Sequence, residues 1–406
     1  GQNIKYDVEV LMNYNIIVKG ELFDTMLAHY LIQPDMRHNM DVLAETYLSY
    51  KPQTIEELIG KKGKKQGSMR DVDPAKVAEY AGEDADITLQ LKEFFAPKLK
   101  EDKVWELYRN IETPLINVLA DMEHKGVKVN EAGLKTYSDE LHKELLELNV
   151  SIKELAGVDF LISSPKQLGE IIYNDLKIAG LKKTKKGSFA TSASVLEDLA
   201  FKGHEFPQLI LDWRQVSKLK NTYSDSLPEH INLTTKRVHT SFLLAATTTG
   251  RLASSDPNLQ NIPIKSEDGK DIRKAFAAKK DHLLISADYN QIEMRILADL
   301  ADVKELKKAF KNNEDIHSLT ASQVFNVPIN EVNEDLRRKA KTINFGIIYG
   351  ITQYGLAKQI SVSNQEALDF INAYFKKFPE MSMLARPFGR PRWRPESYKI
   401  FLKGAN

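Results

Sequence analysis

Cysteine is absent from the 406-residue sequence. Its absence excludes disulfide bonds, zinc–thiolate sites and iron–sulfur clusters, and it fits a reducing compartment. The sequence also lacks an apolar run of about 18 residues, so it predicts no membrane span. It starts at Gly1 without a Met or a charged-then-apolar leader, so we expect no targeting peptide and a start that has been cut.

Neither charge sign is in clear excess, because 57 Lys and Arg residues offset 56 Asp and Glu residues. The charge is nevertheless uneven along the chain. Residues 1–97 hold 11 basic and 16 acidic side chains, whereas residues 335–406 hold 13 basic and 5 acidic ones. The acidic head indicates a site for cations and the basic tail a site for polyanions. Random variation in a solvated surface would give the same pattern, so both interpretations stay open.

The content of 42% hydrophobic and 28% charged residues predicts folded domains. Local patterns predict mixed helical and extended structure at residues 1–97, helices at 97–149 and 301–378, and a strand at 238–243. The apolar run at residues 282–288 predicts a buried strand that ends at Asp288. An Asp in that place is typical of a metal ligand and equally of a turn. The basic loop at residues 182–188 suits phosphate contact or plain exposure.

A helix is predicted at residues 335–350, with two distinct faces. The helical projection groups Leu336, Ala340, Ile343 and Ile347 on one side. It places Arg337, Lys341, Phe345 and Tyr349 in a separate stripe. Cations suit a triphosphate and aromatic rings suit a stacked base, so the stripe indicates a nucleotide site. Gly346 and Gly350 weaken a helix, which fits close approach or movement. The alternative is a solvated charged face with its rings packed on a neighbouring domain.

Two acidic clusters lie near the start of the chain, NIKYD at residues 3–7 and YAGED at residues 80–84. Paired Asp side chains beside a Tyr can hold metal ions and orient water for phosphodiester hydrolysis. Acids at the surface or at helix ends give the same pattern.

Three longer segments resemble one family. They read TGRLASSDPNLQNIP at residues 249–263, DYNQIEMR at 288–295 and RRKAKTINFGIIYG at 337–350. In this order they resemble the palm segment, motif A and motif B of family-A DNA polymerases, the bacterial DNA polymerase I type, and the match extends through most of residues 1–380. The resemblance implies template-dependent addition of dNTPs to a primer 3′ end by two-metal phosphoryl transfer.

The resemblance also implies residue roles. Those that would bind the nucleotide are Glu293, Gln291, His317, Arg337, Lys341, Phe345 and Tyr349. Glu293 would be the steric gate against a ribose 2′-hydroxyl, and Gln291 would support the site. Arg337, Lys341 and His317 would contact the triphosphate, with Lys341 also catalytic, while Phe345 and Tyr349 would meet the nucleotide and the templating base. Those that would contact DNA are Arg251, Gln260 and Asn261. Asp288 and the Tyr289 carbonyl would bind Mg²⁺.

Residues 1–97 resemble the 3′→5′ exonuclease domain of the family, which has an RNase-H-like α/β fold. Asp7 and Asp84 would bind metal ions there, and Tyr80 would orient the attacking water. The implied architecture is α+β and multidomain: a partial exonuclease-like domain at 1–97, a helical thumb at 98–234, the first part of the palm at 235–300, the fingers at 301–380 and an unmatched basic Pro/Arg-rich tail at 381–406. Expected partners are primer–template DNA and dNTPs. We expect a monomer without membrane attachment, acting in the bacterial cytoplasm at the nucleoid.

The sequence departs from the family in ways that affect the expected activity. The second palm carboxylate of the family lies in a His-Asp-Glu motif, and no such triplet occurs in the sequence. The first exonuclease motif, Asp-x-Glu, is expected upstream of Gly1. Two metal ions about 4 Å apart need several ligands, and Asp288 alone is a poor candidate for holding such a pair. With both motifs missing, we expect little or no polymerase or exonuclease activity for this chain.

The same departure predicts exposed apolar surface around Leu283, Leu284 and Ile285, because the remaining palm strands of the family would normally cover it. The alternative function is a non-catalytic DNA-binding remnant of such a polymerase. A stand-alone exonuclease of the RNase D type leaves residues 98–380 unexplained.

Overall fold

The computed structural model describes residues 1–178, 189–263 and 267–381. The basic loop at residues 182–188 and the tail after residue 381 lie outside this part of the chain. Two compact units are present, Gly1–Ile285 and Ser286–Asn406. The predicted palm, residues 235–300, continues from the first unit into the second, and the other predicted domain limits stay predictions.

The first unit is mainly helical. Its helices in the described residues are α1 (Ile4–Met12), α2 (Thr25–Ile32), α3 (Met40–Leu43), α4 (Ile55–Ile59), α5 (Pro74–Glu101), α6 (Trp105–Leu107), α7 (Thr113–Lys125), α8 (Glu131–Ala156), α9 (Pro165–Glu170), α10 (Ala193–Phe201), α11 (Glu205–Leu219), α12 (Ser226–Glu229) and α13 (Glu267–Lys274). The helices predicted within residues 97–149 are thereby confirmed. Helix α5 begins where Asp73 accepts a hydrogen bond from the Ala75 amide at 2.9 Å, with Pro74 in its first turn.

Strands contribute little to this unit. The four strands in the described residues are β1 (Lys128–Val129), β2 (Ser241–Leu243), β3 (Ala253–Ser255) and β4 (Phe276–Ala277). Antiparallel pairing joins β1 to β4 and β2 to β3. The strand predicted at residues 238–243 is therefore confined to its last three residues. All of residues 1–97 are described and none is in a strand, so the extended patterns in that segment do not form strands.

Two apolar cores stabilise the middle of the first unit. One joins Leu134 and Leu141 of α8 to Leu219 of α11 and Ile272 of α13. The other joins the end of α8 to Leu168 of α9, Leu196 of α10 and Ile210 of α11, together with their neighbours. Helix α8 is long enough, at 26 residues, to contribute to both cores, because each residue of an α-helix adds about 1.5 Å to its length.

All regular structure in the described part of the second unit is helical, which confirms the prediction for residues 301–378. Its helices are α14 (Ile292–Leu300), α15 (Lys304–Lys311), α16 (Ile316–Phe325), α17 (Glu334–Ile348), α18 (Gln353–Ile360) and α19 (Asn364–Lys377). Each helix buries at least one side chain in a shared core, namely Met294, Leu306, Val324, Ile343, Leu356 and Tyr374. Ser363 and Glu366 form a reciprocal capping box at the start of α19.

The segment at residues 282–289 lies between β4 and α14 and has no regular structure of its own. The prediction of a buried strand ending at Asp288 is wrong for this chain. The prediction of exposed apolar surface is confirmed, because Leu283 is 88% exposed, Leu284 62% and Ile285 90%. A strand needs a neighbour to accept and donate its backbone hydrogen bonds, and no strand in the described part of the chain pairs with this segment.

Within the described residues, no helix combines the length and the apolar character that crossing a lipid bilayer requires.

Candidate functional site

Helix α17 carries the two faces that its sequence predicts. Ala340, Ile343 and Ile347 are buried on one face. On the other face, Arg337, Lys341 and Tyr349 are exposed and Phe345 is half-buried, with Tyr349 directly after the last helical residue. The Asn333 side chain begins the helix by accepting a hydrogen bond from the Leu336 amide at 2.9 Å. The structure thus brings the four predicted stripe residues together on one surface.

Arg337 is held by a two-point ion pair. Its Nε lies 2.6 Å from Asp315 Oδ2, and its Nη2 lies 3.3 Å from Asp315 Oδ1. Asp315 also begins α16, where it accepts hydrogen bonds from the His317 amide and the Ser318 hydroxyl. Burial alone would raise the pKa of Asp315, but the hydrogen bonds from Arg337 and Ser318 outweigh it and hold that pKa below its usual value. The guanidinium therefore keeps a fixed position at the start of the stripe.

His317 lies beside this stripe but is buried, with 2% of its surface exposed. Its ring centroid is 5.8 Å from that of Phe345. Its Nδ1 is 3.1 Å from Nδ2 of Asn344, a fully buried residue of α17. Burial, assisted by the positive charges of Arg337 and Lys341, lowers the pKa of His317 to about 4. The imidazole is therefore neutral at neutral pH.

Asn344 and its second partner, Thr320, were not predicted from the sequence. Thr320 Oγ1 lies 3.2 Å from Asn344 Oδ1, and both residues are fully buried. A signal for Asn344 exists in the helical projection, because it lies four residues after Ala340 and three before Ile347. A polar side chain on that apolar face needs a buried hydrogen-bond partner.

Glu293 and Tyr349 meet through a hydrogen bond. The Tyr349 hydroxyl donates to Glu293 Oε1 at 2.7 Å, which joins the first turn of α14 to the end of the α17 stripe. Gln291 precedes α14 in the left-handed backbone region, with a φ of 54°. The Arg295 guanidinium donates to the Asn290 carbonyl at 3.0 Å and lies 4.4 Å from the Phe310 ring centroid. These contacts fix the chain as it enters α14.

Asp288 and Tyr289 lie in the exposed segment that precedes α14. Tyr289 is 81% exposed. No group of three or more His, Asp or Glu side chains within the described residues is arranged to hold a metal ion. Asp288 is therefore not part of a group of three or more such ligands within the described residues.

Arg251, Gln260 and Asn261 are exposed in the first unit, around strand β3. Buried hydroxyl groups shape this region, since Thr240 Oγ1 and Ser254 Oγ lie 2.6 Å apart and both contact the Pro257 carbonyl. The Tyr223 hydroxyl donates to the Asn261 carbonyl. These hydrogen bonds hold the backbone in place, while the three predicted DNA-contacting residues lie at the surface.

The predicted exonuclease residues lie on two helices. Asp7 is on α1, whereas Tyr80 and Asp84 are one turn apart on α5. Burial raises the pKa of Asp7, and burial likewise raises that of Asp84, although a hydrogen bond from Tyr80 opposes the second shift. Asp84 Oδ1 is buried without a hydrogen-bond partner. A buried carboxylate oxygen in that state is a suitable ligand for a cation.

A buried ion pair near Asp7 was not predicted. Lys5 Nζ lies 2.6 Å from Glu123 Oε2 and 3.3 Å from Glu9 Oε1, which joins α1 to α7. Glu123 also accepts a hydrogen bond from the Phe242 amide of β2 at 2.6 Å. Burial and a hydrogen bond with Glu123 raise the pKa of Glu9 to about 7. The position of Lys5 between buried Ile4 and Val8 is the signal that could have indicated a buried partner.

Comparisons with known proteins cover nearly the whole chain. The family model described as DNA polymerase family A matches residues 131–387, and the one described as 3′-5′ exonuclease matches residues 1–100. DNA polymerase I of Rhizobium leguminosarum is 47% identical over 379 residues, covering 93% of this chain and 37% of that protein. DNA polymerase I of Pseudomonas aeruginosa is 42% identical over 414 residues, covering 98% of this chain and 45% of that protein.

A solved structure is similar as well. It is the POL domain of Pol1 from M. smegmatis in complex with DNA primer–template and dNTP, with a TM-score of 0.81 and 33% identity. The match covers 94% of this chain and 63% of that chain. The chain therefore spans less than half the length of the two curated relatives and under two thirds of this structure.

Proposed function

Because the chain belongs to DNA polymerase family A, we propose that the exposed face of α17, together with the start of α14, binds the incoming dNTP. The observation that carries this proposal is the stripe of Arg337, Lys341, Phe345 and Tyr349 on one surface. Two cations followed by two rings match the order of a triphosphate and a base, since cations bind phosphate oxygens and rings stack on bases.

Within this site, Arg337 and Lys341 bind the triphosphate, and Lys341 stabilises its charge during transfer. Phe345 packs against the sugar and base, and Tyr349 lies beside the templating base. Glu293 is the steric gate against a ribose 2′-hydroxyl. The hydrogen bond from Tyr349 to Glu293 supports this pairing of roles, because it brings the carboxylate and the ring next to each other.

We also propose that Arg251, Gln260 and Asn261 contact primer–template DNA. Their exposure above a hydrogen-bonded layer supports this role. The similar M. smegmatis structure holds DNA primer–template and dNTP, which supports the same ligands for this protein. We further propose that the protein acts as a monomer in the bacterial cytoplasm at the nucleoid.

Polymerases of this family are metal-dependent, and Mg²⁺ is the ion that we propose for the whole enzyme. The described residues of this chain do not fit a two-ion site, because no three carboxylates or imidazoles come together. The same holds for the exonuclease-like segment. Asp84 offers a buried oxygen without a partner, but Asp7 and Asp84 are two ligands where two ions require more. We therefore propose little or no polymerase or exonuclease activity for this chain alone.

Nucleotide binding is tested by titrating a fluorescent dNTP into the full chain. Arg337→Ala is expected to weaken binding about tenfold, because it removes a charge-assisted contact with phosphate. Arg338→Ala is the matched control, since Arg338 is the next residue of α17 and pairs with Asp335 at 2.6 Å. Equal affinities of the two variants would contradict the assignment of the stripe.

Primer extension with Mg²⁺ tests the second part of the proposal. We expect salt-dependent binding of primer–template DNA with little incorporation of dNTP. Normal magnesium-dependent incorporation would contradict the predicted loss of activity. DNA binding without dNTP binding would favour the alternative function, a DNA-binding protein without turnover, which the incomplete set of metal ligands also supports.

A further inference from the structure

Asn344 is the polar residue of the buried α17 face whose role the family resemblance does not assign. Its amide lies between two residues of α16. Nδ2 is 3.1 Å from His317 Nδ1, and Thr320 Oγ1 is 3.2 Å from Oδ1 and 3.1 Å from Nδ2. All three side chains are buried. The Asn344 amide must therefore find its partners within this group rather than in solvent.

The orientation of the amide determines where His317 carries its proton. The amide nitrogen Nδ2 faces the imidazole, and the Thr320 hydroxyl holds the amide on its other side, donating to Oδ1 and lying close enough to accept from Nδ2. An amide nitrogen can only donate, so His317 Nδ1 must accept and cannot itself carry a hydrogen. A neutral histidine with a free Nδ1 has its proton on Nε2.

We propose that Asn344, held by Thr320, is a positioning residue that fixes His317 as the neutral tautomer protonated at Nε2. This inference rests on the proposed triphosphate site. In this tautomer, Nε2–H can donate to a phosphate oxygen. In the opposite tautomer, Nε2 would present a lone pair to the same oxygen and repel it.

The charges around the ring fit this role. The ionisable groups that act on His317 are Asp315, at the start of α16, and Arg337 and Lys341, from α17. The two cations supply positive charge to the stripe, and with burial they oppose protonation of the imidazole. A fixed tautomer then allows His317 to donate a hydrogen bond to the triphosphate without becoming charged.

Nitrogen-15 NMR of the full chain with labelled histidine tests the tautomer directly. The chain has nine histidines, and the signals missing from His317→Gln identify those of His317. At pH 7, we expect Nδ1 to resonate as an unprotonated nitrogen and Nε2 as a protonated one. The reverse pattern in the wild-type protein would overturn the proposal, and this measurement does not depend on any variant of Asn344.

Variants of Asn344 and Thr320 test whether the Asn344 amide determines the tautomer of His317. In Asn344→Asp, an ionised carboxylate accepts and cannot donate, so we expect a proton on His317 Nδ1 at pH 7. Asn372→Asp, on the exposed side of α19, makes the same chemical change and is expected to leave the His317 signals in place. Thr320→Val releases the amide and is expected to give a mixture of tautomers. Unchanged His317 signals in both Asn344→Asp and Thr320→Val would overturn the role of the amide.

Binding of inorganic tripolyphosphate separates this inference from the proposed function. Asn344→Leu is expected to weaken tripolyphosphate binding by about twofold to tenfold, the effect of losing one neutral hydrogen bond, and Thr320→Val replaces it if Asn344→Leu does not fold. If the wild-type tautomer is as proposed but the wild-type chain does not bind tripolyphosphate, the triphosphate site is refuted and the positioning of His317 stands. Binding with equal affinity by wild type and by both variants would refute the contribution of Asn344 to the site.

Discussion

Helix α17 and the segment at residues 282–289 both carry residues of the proposed polymerase site, yet they differ in structure. Helix α17 is regular and buries Ala340, Ile343 and Ile347 in the core of its unit. The segment has no regular structure and exposes three consecutive apolar side chains. A helix satisfies its backbone hydrogen bonds internally, whereas a strand depends on a neighbour. Local sequence is therefore sufficient for α17 but not for the segment.

The largest expected effect comes from comparing truncation of an apolar side chain in α17 with truncation of one in the segment. Ile343→Ala removes a fully buried side chain and is expected to lower the free energy of unfolding by about 2–5 kcal/mol. Leu284→Ala removes a side chain that is 62% exposed, and its expected effect is within about 0.5 kcal/mol. Urea denaturation of both variants measures the two effects. A loss of more than about 2 kcal/mol for Leu284→Ala would show that the segment is packed in solution.

A second test uses pH. The pKa of His317 is about 4 in the folded chain, below about 6.5 for an unfolded chain. Between these values the unfolded state binds the proton and the folded state does not, so the free energy of unfolding decreases as the pH falls from about 6.5 to about 4.

The variant His317→Gln removes this contribution, so its stability is expected to decrease less than that of the wild type over the same pH range, by on the order of 1 kcal/mol. Urea denaturation at several pH values measures both proteins. Parallel pH profiles would contradict a buried, neutral His317 beside α17.

A third test concerns the end of α17. Tyr349→Phe removes the hydroxyl that donates to Glu293 and is expected to lower the free energy of unfolding by at most about 1 kcal/mol, because the contact is partly exposed. Tyr354→Phe is the control, since Tyr354 has the same 62% exposure. Equal melting temperatures for the two variants would indicate that the hydrogen bond does not stabilise the unit.

The smallest expected change in stability comes from the exposed segment itself. Ile285→Ser is expected to leave the unfolding free energy unchanged within about 0.5 kcal/mol but to reduce self-association, because it interrupts a contiguous apolar surface. Leu233→Ser is the control, since Leu233 is 84% exposed with polar neighbours in sequence. Light scattering at rising protein concentration measures both. Equal self-association of the two variants would contradict a special role for the segment.

The sequence was sufficient to predict the family, which the match over residues 131–387 confirms. It was also sufficient for the two faces of α17, because helical periodicity acts over a few residues. It was not sufficient for the contacts of His317, which depend on Asn344 and Thr320 from different helices. The prediction of a strand ending at Asp288 was wrong because an apolar run indicates burial but does not show whether a partner strand is present.

The buried pair of Lys5 and Glu123 has a consequence for how this protein can diverge in evolution. A lineage can lose Asp7 or Asp84, the proposed exonuclease ligands, without removing either partner of the pair. It cannot lose the Lys5 side chain as readily, because Glu123 would then remain as a buried charge without its cation, at a cost of about 3–5 kcal/mol. Replacement of the proposed exonuclease ligands and loss of the Lys5–Glu123 pair are therefore separate events. Selection for a stable fold can therefore retain the pair after Asp7 and Asp84 have been replaced.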